Sequence, residues 1–94
     1  MIPLRPTKKF FKDLKRITKT YQDQVWDKLD QFQKNPAHPS LRLHEMKGHK
    51  GVSEISITDT YRVTFEWDET KEGEAVVKVA VLRRVGSHDI LRSP

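Results

Sequence analysis

Phe10, Leu14, Ile17 and Tyr21 recur at steps of four, three and four residues, the spacing of one face of an amphipathic helix. Lys8, Lys9, Lys12, Lys15, Arg16 and Lys19 fill the positions between them, so this first helix is basic and solvated. Pro6-Thr7 marks its start, with Thr7 as the cap for the free amides of the first turn. A second helix is expected from about Tyr21 to Lys34, with Val25, Leu29 and Phe32 on one stripe and Trp26 beside it. Asn35-Pro36 ends it, because the residue before a proline resists the helical conformation. The short joint around Thr18 to Tyr21 makes the pair an antiparallel hairpin.

The period then changes from helical to alternating. Ile2 to Arg5 reads as a short edge strand, since Pro3 has no amide to give to a neighbour. Pro36 to Pro39 is a loop, and Leu41, Leu43 and Met46 alternate loosely with Arg42, His44 and Lys47 as a short strand or an irregular arm. Three strands follow. Ile55 and Ile57 oppose Glu54, Ser56 and Thr58; Val63, Phe65 and Trp67 oppose Arg62, Thr64 and Glu66. In the last, Val77, Val79 and Val81 form the apolar side and Lys78, Ala80, Leu82 and Arg84 the other. Turns fall at Asp59-Thr60 and at Glu69 to Gly73. The pattern predicts an α+β fold in which two antiparallel helices pack on the odd-numbered face of a twisted antiparallel sheet of three to four strands. The even-numbered face stays open and gathers Glu54, Ser56, Arg62 and Arg84, with His88 just beyond the last strand.

Ninety-four residues, 35% of them hydrophobic, suffice for one domain spanning residues 1–94 with one modest core. The chain has no cysteine, and its four histidines lack helical ligand spacing, so neither a disulfide framework, a metal nor a cofactor is expected. Met1-Ile2-Pro3-Leu4 runs straight into charged residues and no apolar run approaches a membrane span, which predicts a cytoplasmic protein without a signal peptide or a membrane partner. The formal charge of +5 is unevenly placed. Residues 1–50 carry 12 Lys and Arg against 5 Asp and Glu, whereas residues 51–94 carry 6 against 8. The helical half is therefore the polyanion-seeking half, although an acidic protein suits that charge as well as RNA does.

Cutting RNA through its own 2′-hydroxyl needs a base for that proton, an acid for the departing 5′-oxygen and cations around the phosphorane. Imidazole titrates near neutrality and suits proton transfer; guanidinium stays charged and binds oxygen pairs with its planar fork. His88, His44, Glu54, Arg62 and Arg84 are the candidates for these roles. Plainer readings exist for each: a solvated histidine near a chain end, a loop histidine at position 44, and cross-strand pairs of Arg62 and Arg84 with Glu54 and Glu66. Lys8, Lys9, Lys12, Lys15, Arg16, Lys47, Lys50 and Arg83 are candidate contacts to RNA phosphates.

The helical hairpin followed by Leu43-His44-Glu45-Met46-Lys47-Gly48, Gly51-Val52-Ser53-Glu54-Ile55-Ser56-Ile57, Tyr61-Arg62-Val63-Thr64-Phe65 and Arg84-Val85-Gly86-Ser87-His88 resembles the RelE/ParE toxin superfamily of bacterial type II toxin–antitoxin systems. The resemblance covers nearly the whole chain, and its ending is most similar to the YafQ-, YoeB- and HigB-like branches. It implies a ribosome-dependent endoribonuclease, an mRNA interferase, that meets the ribosome and mRNA and forms a hetero-oligomer with a cognate antitoxin. It implies further that His88 stands at the catalytic histidine, that Arg84 and Arg62 match arginines of the YafQ and YoeB patterns, and that His44 and Glu54 match a histidine and an acidic residue. Ser56 and Thr60 depart from it, standing where YafQ-like chains carry histidine and aspartate, and Ile90-Leu91-Arg92 lacks the usual aromatic. The alternatives within the resemblance are a non-enzymatic, ParE-like inhibitor of DNA gyrase and a member that only binds antitoxin or RNA.

Overall fold

Thr7 both starts a helix and ties it to the end of the chain. Its Oγ1 accepts the Phe10 N–H at 3.2 Å and donates to the Leu82 carbonyl at 2.8 Å. In the computed structural model, which describes residues 1–94, that helix is α1 (Lys8–Leu14), preceded by strand β1 (Leu4–Pro6) and followed by α2 (Lys19–Lys34). Strands β2 (His44–Glu45), β3 (Ser53–Ser56), β4 (Arg62–Glu72) and β5 (Ala75–Gly86) complete the set, with 3-10 turns at Pro39–Leu41 and His88–Arg92. Phe10, Leu14, Val25, Leu29 and Phe32 are buried as their spacing requires. The joint, however, comes earlier than Thr18 to Tyr21. Gln22 donates from Nε2 to the Leu14 and Ile17 carbonyls at 3.1 and 2.8 Å, closing α1 at Leu14 and letting α2 begin at Lys19. Tyr21 therefore leaves the first stripe and packs its ring on Tyr61 at 4.8 Å.

The sheet has five strands in the order β1-β5-β4-β3-β2 and is mixed, which corrects the expectation of a purely antiparallel meander of three to four strands. β1 runs parallel to β5 at one edge, pairing Leu4 with Ala80 and Pro6 with Leu82. Pro3 tolerates this because what it contributes is a carbonyl, which accepts the Ala80 N–H at 3.0 Å. The β4–β5 turn is also tighter than Glu69 to Gly73. Pairing continues to Glu72 and Ala75, leaving Gly73 and Glu74 as the connection, with Gly73 at φ 63 where a two-residue hairpin needs a residue free of a Cβ. The resulting ribbon projects from the body and lengthens the molecule to 41 Å.

The most consequential departure lies in β5. Thr64 pairs with Arg84 but Phe65 pairs with Leu82, so Arg83 is an extra residue in a β-bulge. Before the bulge the even residues face the helices: Ala80 and Leu82 are fully buried in the core, and Lys78 lies 4.6 Å over the Trp67 ring. After it the odd residue Val85 does so. The expected placement of Val77, Val79 and Val81 under the helices is therefore reversed; they point to the opposite face, while Arg84 stays there as expected. Val63 and Phe65 from β4 and Ile55 from β3 join the core as their alternation requires. That opposite face is not wholly open either. The His88–Arg92 turn folds across it, burying Ile90 to 1% exposure.

A Cβ on Gly86 would meet Ile90 Cγ2 at 2.7 Å, so the turn seats on the sheet only because position 86 has no side chain. We predict that Gly86→Ala destabilises the fold by about 1–3 kcal/mol through overpacking. In urea unfolding, Ile90→Ala should partly relieve this cost, so that the double variant loses less than the two single losses added together.

Candidate active face

Antiparallel register builds the site. His44 opposes Glu54, Glu54 opposes Thr64 and Thr64 opposes Arg84, so one row of side chains crosses β2, β3, β4 and β5 on the face away from the helices. The next row holds Ser56, Arg62 and Gly86. Within these rows the Glu54 carboxylate, only 11% exposed, lies 3.3 Å from His44 Nε2 and 3.6 Å from Arg62 Nε. The cross-strand pairing of Glu54 with Arg62 is thus real, and His44 is part of it. His44 Nδ1 lies 2.8 Å from the Arg42 carbonyl, which can only accept, so that nitrogen donates, and Nε2 pairs with the Glu54 carboxylate when it carries a proton as well. Arg42 supplies this carbonyl from a left-handed backbone (φ 48) that turns the arm towards the sheet. Arg62 is steadied by donating Nη1 to the Thr58 and Tyr61 carbonyls at 2.6 and 3.3 Å.

Arg84 belongs to a second group. Its Nε and Nη2 form a fork with Asp13 at 2.9 and 3.0 Å, and the same carboxylate accepts the Val85 N–H at 3.3 Å. The hydrogen bonds donated to Asp13 raise the guanidinium pKa against a smaller opposing effect of burial, with the charges of Asp13 and Asp89 adding to it. A raised value means stability that is complete below the ordinary guanidinium range and lost only as pH climbs beyond it. Arg84 therefore stays cationic throughout the range in which imidazoles titrate. Arg83 pairs with Glu66 at 2.8 Å, taking the carboxylate that the sequence offered to Arg84. The bulge turns both arginines to one groove of about 460 Å³, shared with Lys9, His49 and Arg92.

His88 opens the last 3-10 turn and is exposed. It lies two residues beyond Gly86, the register partner of Arg62, which puts its Cα within about 7 Å of that of Gly86 by chain length. The structure thus draws together His44, Glu54 and Arg62, aligns Arg84 in the same row, and leaves His88 outside the groove at the end of the Arg62 row. Lys8, Lys9, Lys12, Lys15 and Arg16 are exposed on and just after α1, and Lys47 and Lys50 on the turn before β3. No three His, Cys, Asp or Glu side chains are grouped to hold a metal ion, and no helix is long and apolar enough to cross a membrane. The pattern reading overlooked Asp13 and Thr64. Asp13 is the one acidic residue among the first twenty and falls three positions after Phe10 on the buried stripe, a signal that it must meet a cation inside. Thr64 gave no such signal.

With the fold and site in view, the chain can be placed among known proteins. The profile described as ParE toxin of type II toxin-antitoxin system, parDE, matches residues 4–86. The chain belongs to that family, within the RelE/ParE superfamily, and is a type II toxin by descent. No curated protein matches it. Among solved structures it is similar to the YoeB/ParE toxin from Agrobacterium tumefaciens, at 15% identity and TM-score 0.68 over 93% of this chain and 99% of that one. YafQ from E. coli BL21(DE3) superposes with TM-score 0.70 at 14% identity, covering 97% and 98% of the two chains. HP0894 from Helicobacter pylori does so with 0.63 at 24% identity, covering 95% and 97%. These likenesses establish a RelE-like fold.

Asp13→Ala would strand a half-buried guanidinium and the Val85 N–H together. We predict a loss of about 2–4 kcal/mol in chemical denaturation. Asp13→Asn, which can still accept from Val85, should lose distinctly less.

Proposed function

We propose that this toxin is an endoribonuclease that cleaves mRNA on the ribosome without a cofactor. The observation that carries this reading is the His44–Glu54–Arg62 cluster set in register with Arg84 on one sheet face. A carboxylate held between an imidazole and a guanidinium can take a 2′-hydroxyl proton, with the imidazole as the alternative base. Arg62 and Arg84 place two permanent cations where charge gathers on the phosphorane, and preorganised charge of this kind is typically the largest contribution to such catalysis. His88, exposed at the end of the Arg62 row, is free to reach a departing 5′-oxygen as general acid. Exposed Lys8, Lys9, Lys12, Lys15 and Arg16, with Lys47, Lys50 and Arg83, supply phosphate contacts that carry position rather than sequence.

An antitoxin is the expected partner: YafQ has been crystallised with DinJ, and the basic face suits an acidic segment that folds as it binds. Such a complex would be a hetero-oligomer of the cytoplasm. The family match supports a second reading, a ParE-like inhibitor of DNA gyrase that needs no acid or base.

Induction in cells followed by mapping of mRNA 5′ ends separates the two. The ribonuclease reading expects new ends within translated frames, reduced on the order of 100-fold or more by His88→Ala and by Glu54→Gln, with gyrase supercoiling unaffected by purified protein. Unchanged ends together with blocked supercoiling would establish the gyrase reading instead.

A further inference from the structure

Two stretches of the helical hairpin share one spacing. Phe11 has lysines at −3, +1 and +4 (Lys8, Lys12, Lys15), and Trp26 has aspartates at the same offsets (Asp23, Asp27, Asp30). Those offsets set each trio beside its aromatic ring on the helix surface. All of these side chains are exposed, Phe11 to 44% and Trp26 to 39%, and the two rings meet at 6.5 Å across the hairpin. The outer face of α1 and α2 is therefore an aromatic seam with cations along one side and carboxylates along the other. Lys8, Lys12, Lys15 and Asp27 have no ion-pair partner within the chain. Asp23 and Asp30 pair with Lys19 and Lys34 of their own helix at 2.8 and 2.9 Å, exposed contacts that contribute little and exchange readily. Lys28 turns away from Trp26 to Gln31 and Ser40.

We propose that this face is the interface of a symmetric dimer, its occupant a second copy of the same chain. A two-fold axis lying along the seam lays α1 of each copy over α2 of the other, so that Phe11 meets Trp26 and the lysine trio meets the aspartate trio twice over. A polyanion fits only half of this face. RNA or an acidic peptide would satisfy the lysines, be repelled by the aspartates and leave Trp26 in water, whereas a copy of the chain satisfies both trios and covers both rings. Aromatic anchors enclosed by a polar rim are the usual centre of such interfaces. With α2 sixteen residues long, the face spans roughly 24 Å by 20 Å, or about 1,000 Å² buried over both copies, which suits a micromolar dimer. Pairing needs no catalysis and holds whichever way the toxin acts.

Sedimentation velocity of the full chain is the test, with twice the chain mass expected at about 200 μM and the single chain at about 1 μM. Trp26→Ala should weaken association on the order of 100-fold. Lys8→Glu, Lys12→Glu and Lys15→Glu combined, or Asp23→Lys, Asp27→Lys and Asp30→Lys combined, should each give a monomer, because like charges then face each other across the axis. An equimolar mixture of those two variants should dimerise again. A wild-type chain still monomeric at the higher concentration overturns the proposal, as does a dimer that persists in folded Trp26→Ala or in either charge variant alone. Folded charge variants that fail to associate on mixing do the same. So does a wild-type monomer that binds hexaglutamate through its lysine trio, which would give the face to an acidic partner. Should a charge variant not fold, salt decides: the wild-type dissociation constant is expected to rise about tenfold between about 50 and 500 mM salt, and a constant indifferent to salt overturns pairing by these charges.

Discussion

Leu82 and Val85 must both enter the core, yet they are three residues apart in a strand whose side chains alternate every two. The bulge at Arg83 resolves this, and the arrangement of the candidate face follows from it. By absorbing one residue it lets Ala80, Leu82 and Val85 pack beneath the helices while Arg83 and Arg84 emerge side by side on the other face. Unbulged, the strand would bury either Val85 or its neighbours and would part the two guanidiniums. Core packing thus dictates where the charges go.

Asp13 closes the strand edge just beyond the bulge. The pairing of β1 with β5 ends at Leu82, and past it the carboxylate from α1 accepts the Val85 N–H while forking the Arg84 side chain. One buried group therefore joins helix to sheet, satisfies the backbone and aims a cation. The Thr7 hydroxyl does the same from the other end of α1 through the Leu82 carbonyl. The helix is short, seven residues, and its hold on β5 comes from these polar ties as well as from Phe10 and Leu14.

Much of this was legible in the chain. Helix spacing located Phe10, Leu14, Val25, Leu29 and Phe32 in the core, and alternation placed Glu54, Arg62, Thr64 and Arg84 on the same side. The bulge was not legible, because Val77 to Leu82 is apolar at every position except Lys78 and a parity cannot be read from such a run. β1 was foreseen as an edge strand but not as a parallel one, since its partner lies more than seventy residues away. Pairing preferences failed in a similar way: Arg84 has two carboxylates within reach of a plausible register, and only the fold shows that Asp13 takes it and Glu66 goes to Arg83. Only the resemblance singled out His88, and its exposed position in the structure does not by itself mark a function.

The parallel pairing of β1 with β5 has a kinetic meaning. Leu4 to Pro6 find their partners only at residues 80–82, so this strand waits for a segment more than seventy residues further along the chain. Loop closure over that distance is entropically slow, and contacts so remote in sequence form late. Since β5 also carries Arg83 and Arg84, the face that holds them is completed only when this remote pairing forms.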